Sequence, residues 1–230
     1  MSGSNQRNYK AADKAVRKKR RMINKATPPR LTSTSRRQLV DEAHRLARIE
    51  FPEVPPTRAC LVEAVSLQCL AYRRWGVDFS LQAGTCFWPR VNDNHRLAKD
   101  ESSHYGYEWR GVSHAETALA VLTGKLPELH VWLALVEEEV IVDSTTRTFV
   151  DRARAAGVSW PGARPPSLLW GQATALHTRY GGRRHAPRYM SSSGACDVAI
   201  TVAERIVYPK LCAATGLTYM GHGELGWGAR

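Results

Sequence analysis

The apolar positions of this chain fall into helix-spaced and strand-like blocks separated by polar stretches. Leu39, Val40, Ala43, Leu46 and Ala47 recur at intervals of three and four with charges between them. That spacing predicts a helix over about 36–50, ended by Phe51-Pro52. Pro55-Pro56 forces an extended connector. Thr57 is placed as an N-cap for a second helix over about 58–75. In it Leu61, Val62, Ala64, Val65, Leu67, Cys69, Leu70 and Tyr72 cover most of the circumference, the mark of a central helix, and Gly76 closes it. Phe79 to Val91 reads as one or two strands, interrupted near Gly84. Residues 92–112 read as a long polar binding-type loop, and 113–123 as a short helix stopped at Gly124. His130–Val136 and Val140–Asp143 are strands, and the three glutamates between them predict a hairpin. A helix near 147–156 stops at Gly157. Residues 157–195, dense in Pro, Gly, Arg and Ser, read as irregular. A last helix over about 196–214 carries Val198, Val202, Ile206 and Leu211 on one side.

Length and charge add a division to this picture. The 230 residues suffice for one ordinary domain with a tail. Net charge is +12, but it is concentrated: residues 1–37 hold twelve Lys and Arg against Asp13 alone, leaving twenty-one against twenty acids in the rest. The body is nearly neutral, which argues against a DNA-binding domain and assigns the basic character to the N-terminal segment. Residues 1–34 are expected to be a disordered basic tail. Its run Arg17-Lys18-Lys19-Arg20-Arg21 is either a solvated segment or a contact for nucleic acid or an acidic partner. Residues 35–220 are expected to form one domain, and 221–230 a flexible C-terminus. No apolar stretch is long enough for a membrane helix, and no apolar run follows the basic N-terminus as a secretory signal requires. The five cysteines show no CxxC and no framework spacing, so a reducing, cytoplasmic setting is expected.

Three residues carry candidate chemistry. Cys60 falls in the first turn of the central helix, where unpaired N–H groups and the helix dipole favour a thiolate. A cysteine there is either a small core residue or a nucleophile. If the hairpin turns on two residues, Glu137 and Glu138, His130 lies opposite Thr145 and Asp143 shares its face two residues along. A three-residue loop would put them on opposite faces. In the first register His130 serves as general base and acid, and Asp143 orients its imidazole. Cys196 opens another helix and is a rival nucleophile. Cys69, Cys86 and Cys212 read as packing residues. No ligand spacing such as HExxH, no EF-hand loop and no phosphate-binding loop is present, so neither a metal nor a cofactor is expected.

Ala59-Cys60 opening an apolar helix closed at Gly76, His130-Val131-Trp132 opening a strand, and Val140-Ile141-Val142-Asp143-Ser144-Thr145 together resemble the transglutaminase-like cysteine enzymes of the papain-like superfamily. The resemblance covers about residues 58–146. It implies an α+β fold with the cysteine helix packed on an antiparallel sheet, and a Cys60–His130–Asp143 triad. It implies acyl transfer through a thioester, with a protein, peptide or other amide as substrate and water or an amine as acceptor. The family also contains members without activity, so an inactive scaffold that binds through its tail is the alternative. The Cys60 N–H is a natural oxyanion donor, and Gln82, Trp109 and Trp132 are weaker candidates for oxyanion or substrate contact.

Overall fold

The computed structural model describes residues 32–89, 104–107, 109, 111, 113–125, 129–135, 138–160, 164–172, 175, 187–221 and 224–227. The basic run 17–21 and most of the 92–112 loop lie outside the described residues. Two units are distinguished, 1–36 and 37–230.

The second unit is α+β, with an antiparallel sheet at its centre. Helix α1 (Ser33–Glu50) leads through a short 3-10 turn (Pro56–Arg58) into α2 (Cys60–Trp75). Strands β1 (Ser80–Pro89) and β2 (His104–Tyr107), helix α3 (His114–Leu122), and the hairpin β3 (His130–Leu135) with β4 (Val140–Asp143) follow. A 3-10 turn (Thr146–Thr148) runs into α4 (Phe149–Ala155). Then come β5 (Leu169–Gln172), β6 (Arg188–Ser191), α5 (Ser193–Val202), a π-turn (Ala203–Val207), α6 (Tyr208–Thr215) and the hairpin β7 (Leu217–Gly221) with β8 (Glu224–Trp227). In the main sheet the order is β2-β1-β3-β4-β5, with β6 also paired to β1. Among the described residues no helix is long and apolar enough to cross a membrane.

Helix α2 is buried along most of its length and packs on β3 and α6. Its one deeply buried amide is fully used: Gln68 donates from Nε2 to the Phe79 carbonyl at 2.7 Å and accepts at Oε1 from the Tyr208 hydroxyl at 2.6 Å. Through Gln68 the helix joins the start of the sheet to α6.

Several expectations are corrected. The second helix begins at Cys60, and Ala59 holds the N-cap position with no side-chain cap, while Thr57 lies in the preceding 3-10 turn. Two prolines at 55 and 56 set that turn and displace the start. The strand over 80–89 is continuous through Gly84. The 157–195 stretch contains two strands, β5 and β6, each of four residues and too short for an alternation signal. Residues 224–227, expected to be part of a flexible end, form β8 against β7.

Gly84 is where β1 changes partner. Ser80–Gly84 pairs with β3, and Gly84–Phe87 pairs with β6. Its φ is 155°, and a Cβ there would lie 2.2 Å from the Met190 carbonyl oxygen and 3.0 Å from the Ser192 nitrogen. Both are backbone atoms, so β6 would have to move. Gly84→Ala is expected to lower stability by about 1–3 kcal/mol, read as a shift in the urea midpoint with m unchanged.

Candidate functional site

The β3–β4 register decides the geometry. Leu133 faces Val142 and Leu135 faces Val140, the pairing that a two-residue turn produces, so Asp143 and His130 share a face. Both side chains are fully buried. His130 Nε2 lies 2.8 Å from Asp143 Oδ2. The carboxylate is held from every side: Oδ2 also accepts from the Tyr189 hydroxyl at 2.7 Å, and Oδ1 accepts from the Thr145 N–H at 2.8 Å and the Thr145 hydroxyl at 2.7 Å. The ring of His130 is walled by Trp132, stacked at 5.8 Å, by Phe149 edge-on at 5.4 Å, and by Tyr189 at 6.1 Å.

Electrostatics follow from this packing. Burial alone opposes a charge on His130. The Asp143 carboxylate, its hydrogen bond, and the thiols of Cys60 and Cys86 outweigh it and hold the imidazole pKa well above its ordinary value. Burial would likewise raise Asp143, but the His130 charge, its hydrogen bond and the two Thr145 donors bring its pKa below the usual carboxylate value. Both directions favour the imidazolium–carboxylate form of the pair. Tyr189 stays a phenol, because burial and then the Asp143 charge push its pKa well up.

Two thiols flank the ring. Cys60 is the first residue of α2, and its thiol donates to the Leu129 carbonyl at 2.9 Å, one residue before His130. It also acts on the His130 ring, raising the imidazole pKa. Cys86, read from sequence as packing, lies on β1 two residues beyond Gly84, the partner of His130. It faces Tyr189 across the β1–β6 ladder. One donor atom each from Cys86, His130 and Asp143 lie within 4.8 Å of one another. Burial raises the Cys86 thiol pKa, partly offset by its hydrogen bond to His130.

A salt bridge fixes α2 against the far end of β4. Glu63, three residues past Cys60, accepts from Arg147, four residues past Asp143. Its Oε1 lies 2.6 Å from Nη2 and its Oε2 3.1 Å from Nη1. His44 of α1 joins the cluster, its Nε2 2.8 Å from Arg147 Nη1. Arg147 Nη1 also donates to the Ser144 carbonyl. The clamp thus ties the cysteine helix to the aspartate strand through a forked guanidinium–carboxylate pair.

Gln82 is half-buried and pairs with Trp132 on the same face as Gly84 and His130. Trp109 is half-buried against the core, its main-chain N–H donating to the Thr85 hydroxyl at 3.1 Å. The Cys196 sulfur is engaged by the Ala83 main chain, 3.3 Å from its nitrogen and 3.5 Å from its oxygen. Cys86 and Tyr189 were missed in the sequence. Alternation along 82, 84 and 86 could have found Cys86 once the pairing with His130 was known. Tyr189 lies in the stretch that gave no strand signal. No family model, no curated protein and no solved structure matches the chain.

Sign and window of the pair's pH dependence are fixed by these shifts. The His130 contribution to stability is complete below about pH 6.5 and is lost as pH rises from there through the raised folded value. The Asp143 contribution is complete above about pH 3.9 and is lost as pH falls through the lowered one. Asp143→Ala is expected to cost about 3–5 kcal/mol at pH 6. Thermal melts across pH should show that gap narrowing both above 6.5 and below 3.9.

Proposed function

We propose that the protein is a cysteine-dependent acyl-transfer enzyme of transglutaminase-like type, with Cys60 as nucleophile, His130 as base and Asp143 as the orienting carboxylate. The observation that carries this reading is the buried His130–Asp143 ion pair with the Cys60 thiol as a neighbour of its ring, at the uncapped start of α2. The chain order Cys, His, Asp and the packing of α2 on β3 support the same reading.

The steps follow from the atoms. Asp143 engages Nε2, which leaves Nδ1 as the nitrogen for the thiol. In the reactive form the Cys60 thiol proton has passed to Nδ1, so the imidazolium carries it and the sulfur is free to attack. The sulfur attacks an amide or ester carbonyl carbon, and the carbon–oxygen π electrons move to oxygen. Main-chain N–H groups at the start of α2 are suited to receive that oxyanion, because Ala59 offers no side chain to occupy them. Collapse expels the amine, which takes its proton from His130 and leaves a thioester on Cys60. Water or a second amine, deprotonated by His130, then releases the acyl group.

Cys60 rather than Cys86 is the nucleophile in this reading. Cys60 keeps 7% of its surface exposed and sits at a helix end, whereas Cys86 has 1% and lies within a strand. The five cysteines are free thiols, which supports action in a reducing compartment such as the cytoplasm. A second reading is supported by the charge partition alone: an inactive scaffold that binds nucleic acid or an acidic partner through residues 1–34.

Iodoacetamide labelling at pH 6, read by peptide mass spectrometry, separates the two. Cys60 is expected to label faster than the other four cysteines, and His130→Ala to slow it at least about tenfold. A Cys60 that stays inert, or that labels independently of His130, would remove the triad. Salt-sensitive nucleic-acid binding lost on deletion of 1–34 would then favour the scaffold.

A further inference from the structure

We propose that Cys86, His130 and Asp143 form a binding site for a divalent transition-metal ion of zinc type, and that its occupancy switches off Cys60. The binding half stands on geometry alone. The switching half rests on the reading of Cys60 and His130 given above.

Cys86 is the buried reactive group for which the triad has no use. It sits beside the His130–Asp143 pair, and the three donor atoms lie within 4.8 Å of one another in a fully buried cluster. In a tetrahedral zinc site, with metal–nitrogen and metal–oxygen bonds near 2.1 Å and a metal–sulfur bond near 2.3 Å, the donors stand roughly 3.4–3.7 Å apart. The edges to Cys86 therefore close by little more than about 1 Å, while the His130 Nε2–Asp143 Oδ2 edge, at 2.8 Å, opens by about 0.6 Å. A thiolate, an imidazole and a carboxylate suit zinc or cobalt, while calcium and magnesium need an oxygen-rich shell that this cluster does not offer. Tyr189, bonded to Asp143 Oδ2 at 2.7 Å, holds the carboxylate from behind or supplies a fourth oxygen.

Binding balances as a proton exchange. The metal takes the place of the proton between His130 Nε2 and Asp143 Oδ2, and the Cys86 thiol loses its own. Two protons go to solvent. A ring that carries a metal ion on Nε2 and a proton on Nδ1 has no free nitrogen for the Cys60 thiol proton. Chelation reverses the change.

The test loads the metal-free full chain with cobalt(II) under anaerobic conditions. One equivalent is expected to bind, with a thiolate-to-cobalt charge-transfer band that persists in Cys60→Ser and disappears in Cys86→Ser. X-ray absorption on the zinc-loaded wild type needs no variant: one sulfur neighbour is expected among lighter atoms. No uptake, no sulfur neighbour, two sulfur neighbours, or a band lost in Cys60→Ser would overturn the site. One equivalent of zinc should also slow Cys60 alkylation at least tenfold in wild type and not in Cys86→Ser. If cobalt binds through one sulfur but zinc leaves a fast Cys60 unaffected, the switching half is wrong. Slow Cys60 labelling in the metal-free protein counts against the triad and leaves the metal site intact. Fast labelling without metal uptake does the reverse.

Discussion

A histidine and an aspartate that share no surface with solvent must either neutralise one another by proton transfer or stand as an ion pair supported by other donors. The His130–Asp143 pair is of the second kind. Desolvation of two charges is expensive, and mutual attraction offsets it only when the remaining lone pairs are satisfied. Here four hydrogen bonds converge on one carboxylate. They come from β3, from the turn after β4, and from β6, so these segments must be in register for the pair to exist. The surrounding aromatic rings exclude water and keep the interaction strong.

That requirement explains features that look unrelated. Gly84 lets β6 approach β1 closely enough for Tyr189 to reach the carboxylate. The Glu63–Arg147 pair anchors the first turn of α2 to the turn beyond Asp143, so the thiol and the carboxylate are held from the same side of the sequence gap. Gln68 and Tyr208 fix the same helix one turn farther along. The position of Cys60 is thus determined by its helix, and the helix by polar contacts at two levels.

Much of this was legible in the amino-acid order. The apolar circumference of α2, the glycine at 76 and the β3–β4 hairpin are local patterns, and local patterns survive translation into structure. The hairpin register was legible only as a choice between two turn lengths. The choice is settled by packing, because Asp143 finds its hydrogen-bond donors on one face only. Cys86 and Tyr189 were illegible for a different reason. Each meets His130 and Asp143 through pairing between strands more than forty residues apart in the chain, and β6 is too short to announce itself. The start of α2 was misplaced because Thr57 is a good cap in isolation, whereas the two prolines before it impose a 3-10 turn first.

The chemistry of the whole site depends on the charge state of one imidazole. Nitrogen-15 NMR of histidine-labelled protein reads that state directly. A His130 ring that stays doubly protonated above pH 6.5 in the wild type, and loses its second proton near or below that value in Asp143→Ala, is the predicted result. A wild-type ring that is already neutral at pH 6 would contradict the account.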